Sequence, residues 1–136
     1  MDHIEYKSGY KYQLVSTYKV SIPLLLAGSI QTQFITLTME GLLTVRSGYA
    51  WDGPTWLADT KNAMRASLVH DALYQLMRSG RLDLNLHRNN ADKLFRVICR
   101  EDGMGYLKAF IAYRGLFLFA RSAADPKNQK PIIIAP

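Results

Sequence analysis

Two titratable side chains stand side by side in the run Leu68-Val69-His70-Asp71-Ala72-Leu73-Tyr74. A neutral imidazole can act as a general base near pH 7. An aspartate can bind a hard cation, and a phenol can hydrogen-bond a carboxylate and orient it. On a helix, at about 100° per residue, Tyr74 returns to within roughly 40° of His70 and Asp71 lies about 100° away, so the three can line one wall. A second carboxylate occurs in Asn90-Ala91-Asp92-Lys93-Leu94-Phe95. Asp92 falls near the expected start of a helix, where a negative charge is favoured, and shares a face with Phe95 and Cys99. A carboxylate on a partly apolar face needs a partner, and His70 across an antiparallel helix pair supplies one. Asp92 would then stabilise the imidazolium formed when His70 takes a proton from water, as in a triad without a serine. The plainer alternative is a buried Asp–His hydrogen bond that pins two helices together, with Tyr74 as packing.

A third cluster is Gly48-Tyr49-Ala50-Trp51-Asp52-Gly53-Pro54-Thr55-Trp56. Glycines let backbone carbonyls turn inward, which calcium sites exploit. That makes the carbonyls of Gly48 and Ala50 and the carboxylate of Asp52 candidate Ca2+ ligands beside Asp71. The alternative is a corner between strand and helix, with tryptophans plugging the core.

The elements that must position these groups follow from pattern. Tyr10, Tyr12, Leu14, Tyr18, Val20 and Ile22 share one parity and polar residues fill the other, the period of a half-buried strand. Pro23 ends or bends it. Ile30 to Thr38 is rich in β-branched residues, Glu40-Gly41 supplies a turn, and Leu42 to Ser47 returns as a hairpin partner. After Pro54 the period becomes helical. Asn62 to Ser79 carries apolar residues at spacings of three and four and stops at Gly80. Residues 81–88 read as a polar connector, with Asn89 or Asn90 capping a second helix that Asp102-Gly103 ends. Gly105 to Ala123 reads as a third helix, and Asp125 to Pro136 as an irregular tail. The expected fold is a single α+β domain over 1–124: a small N-terminal antiparallel β-sheet (1–50), followed by three α-helices (60–123).

The third helix contains MGYLKAFIAYRGLFLFA, interrupted by Lys108 and Arg114. The two cations argue against a membrane span. Its expected place is a central core helix, with contact at a membrane surface as the alternative. The chain has 136 residues, one cysteine and a formal charge of +6. One cysteine excludes an internal disulfide framework and a Cys-rich zinc site. The first 60 residues carry four basic and five acidic side chains and the rest thirteen and six, so the basicity belongs to the helical half. The opening MDHIEYK lacks the basic segment and apolar core of a secretory signal peptide.

The turn Gly48 to Thr55, the Leu68 to Tyr74 run and Ala91-Asp92-Lys93-Leu94-Phe95 together resemble a family of short bacteriophage and prophage proteins, the domain of unknown function thirteen fifty-three. That resemblance implies a place in the bacterial host cytoplasm or in a phage virion or tail. His70-Asp71-Ala72-Leu73-Tyr74 also resembles the His-Asp-x-x-Tyr helix of secreted phospholipases A2. This implies His70 as the base, Asp71 as the calcium ligand, Asp92 as the orienting carboxylate and Tyr74 as its support. It also implies a phospholipase A2-like antiparallel pair for two of the helices. The disulfides and the Gly-rich calcium loop of those enzymes are missing, and the β-rich first fifty residues have no counterpart.

The expected function is a calcium-dependent lipid esterase, a hydrolase acting at a phospholipid membrane surface, with Trp51, Trp56 and Phe110 lining an apolar path. The alternative is a non-catalytic virion or accessory protein that docks onto other phage proteins, with a structural His-Asp helix. Nucleic-acid binding rests on net charge alone, with no matching motif.

Overall fold

The computed structural model describes residues 4–7, 12–53 and 61–119. The first half forms two antiparallel sheets. One has the order β1-β2-β7, from β1 (Tyr6–Lys7), β2 (Tyr12–Leu14) and β7 (Ala50–Trp51). The other has the order β3-β6-β5-β4, from β3 (Tyr18–Ser21), β4 (Ile30–Gln31), β5 (Ile35–Leu37) and β6 (Leu42–Val45). Three helices follow: α1 (Lys61–Arg78), α2 (Leu84–Glu101) and α3 (Tyr106–Phe119). This is the expected α+β architecture.

The period of two sorts side chains as expected: Leu14, Tyr18 and Ile22 are buried, while Gln13, Val15, Thr17, Lys19 and Ser21 are exposed. One correction concerns continuity. The chain bends at Val15 and Ser16, so the two halves of that pattern enter different sheets. Parity survives a bend, and therefore cannot reveal one. The stretch Ile30 to Thr38 likewise divides into two strands. Thr32 closes the turn between them: its hydroxyl donates to the Ile35 carbonyl and accepts from the Ile35 N–H, both at 3.0 Å. The Glu40-Gly41 turn is present, with Gly41 at φ +95° and its N–H bonded to the Thr38 carbonyl. In β6, Leu43 and Val45 face the core, and Val45 pairs with both Tyr18 and Ile35.

Helix α1 is the axle of the core. Every residue from Ala63 to His70 is buried. It packs on α2, and α2 packs in turn on α3. Helices α1 and α2 end alike. Gly80 and Gly103 adopt φ of +76° and +96°. The N–H of Arg81 reaches back to the Leu76 carbonyl and that of Met104 to the Cys99 carbonyl, at 2.9 Å each. These closures satisfy carbonyls that a helix end leaves free.

Helix α2 begins earlier than the sequence suggests. Asp83, not Asn89 or Asn90, is its cap, accepting from the N–H groups of Asn85 and Leu86. Within residues 84–90 Leu84 alone packs against the core and the rest are polar or exposed, so they carry no periodic signal. Helix α3 is also placed differently. It is not the central helix: only Ala109, Ala112 and Leu116 of its described side chains are buried, and Leu107, Phe110 and Ile111 face solvent. The expected tail after Asp125 lies outside the described residues, as does Trp56.

Candidate functional site

Helix α1 sends polar side chains to each neighbour in turn. Ser67 accepts from the Trp51 indole N–H at 2.9 Å and donates to the Met64 carbonyl, which fastens β7 to the helix. Trp51 is therefore a core plug, as the alternative reading of its turn had it, and does not line an apolar path. Arg65 is buried and binds three groups. Its guanidinium reaches the Asp102 carboxylate at 3.0 Å, Glu101 at 2.7 Å and the Tyr18 hydroxyl at 2.9 Å. Burial works against this charge, but those hydrogen bonds outweigh it and hold the guanidinium above its ordinary value. Arg65 thus ties β3, α1 and the C-terminal end of α2 together.

One turn further along, His70 and Tyr74 face α2. His70 Nε2 lies 2.6 Å from Asp92 Oδ1, and the Tyr74 hydroxyl donates to the same oxygen at 2.6 Å. The sequence places His70 and Asp92 each eleven residues from Arg81, so folding the two helices back on each other brings them level. Asp92 is 0% exposed and His70 7%. The His70 ring lies tilted against Tyr74, with centroids 4.0 Å apart and 37° between the planes, and meets Phe95 edge-on at 5.8 Å. A buried carboxylate accepting at Oδ1 fixes the proton on Nε2. Nδ1 is then the basic nitrogen, and it makes no hydrogen bond to the described residues. The other Asp92 oxygen, Oδ2, is buried and also lacks a partner among them.

Asp71 points elsewhere, toward the strand-to-helix side. It accepts a hydrogen bond from the Tyr49 hydroxyl. Burial pushes the Asp71 carboxyl above its ordinary 3.8. The Tyr49 bond and the charges of Arg78 and His70 oppose this rise, and nearby Asp52 adds to it. Burial also raises Tyr49 well above its ordinary 10.0, reinforced by the Asp71 charge, so the shared proton stays on the phenol. Tyr49 had no place among the candidate residues, because a tyrosine in a turn carries no periodic mark.

The calcium ligands expected from the sequence come together only in part. Asp71 and Asp52 lie close enough for one charge to act on the other. The Gly48 carbonyl instead accepts from the Gln13 amide at 3.2 Å, and Ala50 sits in the ladder opposite Gln13. Among the described residues no three His, Cys, Asp or Glu side chains gather as a metal cluster. Two hollows on the described surface lie away from His70. One of about 590 Å³ is on the outer face of the sheet around Lys19, Thr36 and Arg46, and one of about 370 Å³ is beside α2.

A family model described as "Protein of unknown function (DUF1353)" matches residues 29–116. The chain belongs to the DUF1353 family. The matched stretch contains every candidate residue: Gly48, Ala50, Asp52, His70, Asp71, Tyr74 and Asp92. No curated protein and no solved structure matches the chain. None of the described helices is long and apolar enough to cross a membrane.

Proposed function

We propose that this DUF1353 protein, of phage or prophage origin, is a hydrolase of lipid esters in which His70 activates water. One observation carries the reading: Asp92, fully buried, receives both the Tyr74 hydroxyl and His70 Nε2, leaving His70 Nδ1 without a hydrogen bond to the described residues. In the reaction Nδ1 takes a proton from a water molecule. The oxygen attacks the ester carbonyl, and the proton passes from the imidazolium to the departing alkoxide, giving acid and alcohol. Asp92 Oδ1 keeps its contact with Nε2 throughout and so steadies the protonated ring, while Tyr74 holds the carboxyl group in line.

Ca2+ belongs to this reading through Asp71 and Asp52, whose oxygens suit a hard cation. When bound, it would supply polarisation of the ester carbonyl. The test is release of fatty acid from mixed phospholipid vesicles by the purified chain, with and without a calcium chelator. Hydrolysis that disappears in His70→Asn supports the reading, and no hydrolysis by the unmodified protein overturns it.

A second reading rests on burial. His70, Tyr74 and Asp92 all lie inside the packed interface of α1 and α2, where they can serve to pin the helices of a non-catalytic virion or accessory protein. His70→Asn then lowers the melting temperature and removes no activity.

A further inference from the structure

Helix α3 keeps one narrow face for packing and offers the other to solvent. Ala109, Ala112 and Leu116 face α2. On the opposite side Leu107, Phe110, Ile111 and Arg114 recur at helical spacing. Leu107 and Ile111 are 68% and 59% exposed, and Phe110 and Tyr106 are exposed beside them. A surface helix ordinarily places polar residues there. The adjoining face of α2 continues the patch with exposed Val97, at the rim of the 370 Å³ hollow between Arg100 and Tyr113.

The charge on the described residues of α2 and α3 beside this patch is mostly positive. Lys93, Arg96 and Arg100 of α2 and Lys108 and Arg114 of α3 are all cationic. The Arg96 guanidinium sits over the rings of Tyr106 and Phe110, 5.0 and 5.1 Å from their centroids. From Lys93 to Leu116 the acidic residues are Glu101 and Asp102, and both are bound by Arg65. The patch is therefore apolar in the middle, aromatic beside that and basic around it.

We infer that the outer face of α3, with the cations of α2 beside it, docks the protein onto an anionic phospholipid surface. Leu107, Phe110 and Ile111 would enter the boundary between headgroups and acyl chains. Tyr106 would sit at headgroup level, and the five cations would meet lipid phosphates and carboxylates. A second copy of the chain is a poorer occupant, because it would bring the same five positive charges to the contact. The inference stands apart from the hydrolysis reading, since docking is read without turnover. A protein that binds vesicles and releases no fatty acid keeps this inference and loses that one.

The experiment is co-sedimentation of the full chain with vesicles of phosphatidylcholine alone and of phosphatidylcholine mixed with phosphatidylserine. Binding is expected to the mixed vesicles only, weakening as salt rises. Each cation near an anionic surface contributes about fivefold in affinity. The exposed pair Lys93→Glu and Lys108→Glu together should therefore lose at least about 25-fold. The exposed pair Phe110→Ser and Ile111→Ser should abolish sedimentation at unchanged melting temperature. His70→Asn should sediment like the unmodified chain. Equal binding to both vesicle types, no binding to either, or a concentration-dependent dimer that the Phe110/Ile111 variant breaks without any vesicle binding would each overturn the inference.

Discussion

Replacing Tyr74 by Phe removes one oxygen atom from a fully packed site and leaves the ring in place. What is lost is the 2.6 Å hydrogen bond to Asp92 Oδ1. A hydrogen bond to a charged group contributes about 1.5–3 kcal/mol, against about 0.5–1.5 for a neutral pair. Asp92 is 0% exposed and its Oδ2 already lacks a partner among the described residues, so water offers little compensation. The expected loss is about 2 kcal/mol, a drop in melting temperature on the order of 5–10 °C for a domain of this size. Urea unfolding followed by circular dichroism measures it. The same substitution in an Asp92→Asn background meets a neutral acceptor, and should cost about 1 kcal/mol less. A Tyr74→Phe loss under about 0.5 kcal/mol, or the same loss in both backgrounds, would refute the assignment of Asp92 as a buried charge held by two donors.

Four further outcomes follow from other contacts. Arg65→Met strands the carboxylate of Asp102 beside α1, and breaking a buried ion pair costs about 3–5 kcal/mol. Because Glu101 and Asp102 still reach solvent, the low end is expected in urea unfolding. Asp71 has a folded value above its ordinary 3.8, so the native state holds the proton more tightly than the unfolded chain. The stability this group contributes is complete below 3.8 and is lost as pH rises through the raised value. Asp71→Asn should then show a flatter stability–pH profile above pH 4, with no loss at pH 7. If that variant instead falls increasingly below the unmodified protein as pH rises, the folded Asp71 carboxyl lies below its ordinary value and not above it. Cys99 is buried in α2, and burial pushes its thiol up to about 12. A native protein that reacts with iodoacetamide at pH 8, before urea is added, contradicts this placement. Addition of EGTA should weaken any hydrolysis that depends on Asp71 and Asp52, with recovery on adding Ca2+.

The His70–Asp92–Tyr74 group was legible because each of its signals is local. The four-residue spacing puts His70 and Tyr74 on one face, and Asp92 stands on the next helix as far past the connector as His70 stands before it. The sheet was legible from parity and from its turns at Gly41 and Gly48, and the end of α1 from Gly80. Other contacts left no such trace. Tyr49 meets Asp71 across 22 positions of sequence, and nothing in the pattern of a turn marks its side chain as a partner. Arg65 reads as a solvated helix residue until the C-terminal end of α2 folds against it. Asp83 caps a helix whose first turns face water, so the cap preceded any apolar repeat that could announce it. The apolar composition of α3 pointed to the core. Composition says how much surface could be buried, though, and the narrow Ala109–Ala112–Leu116 stripe shows how little of that helix α2 covers.

The central claim is that the buried Asp92 prepares His70 to take a proton from water. The most direct measurement is kcat for fatty-acid release from mixed phospholipid vesicles, comparing the unmodified chain, His70→Asn and Asp92→Asn, with folding of each verified by urea unfolding. The account expects turnover in the unmodified chain and a loss of at least about 100-fold in both variants, while each remains folded. Folded variants that keep the turnover of the unmodified chain, or an unmodified chain that releases no fatty acid, would contradict it.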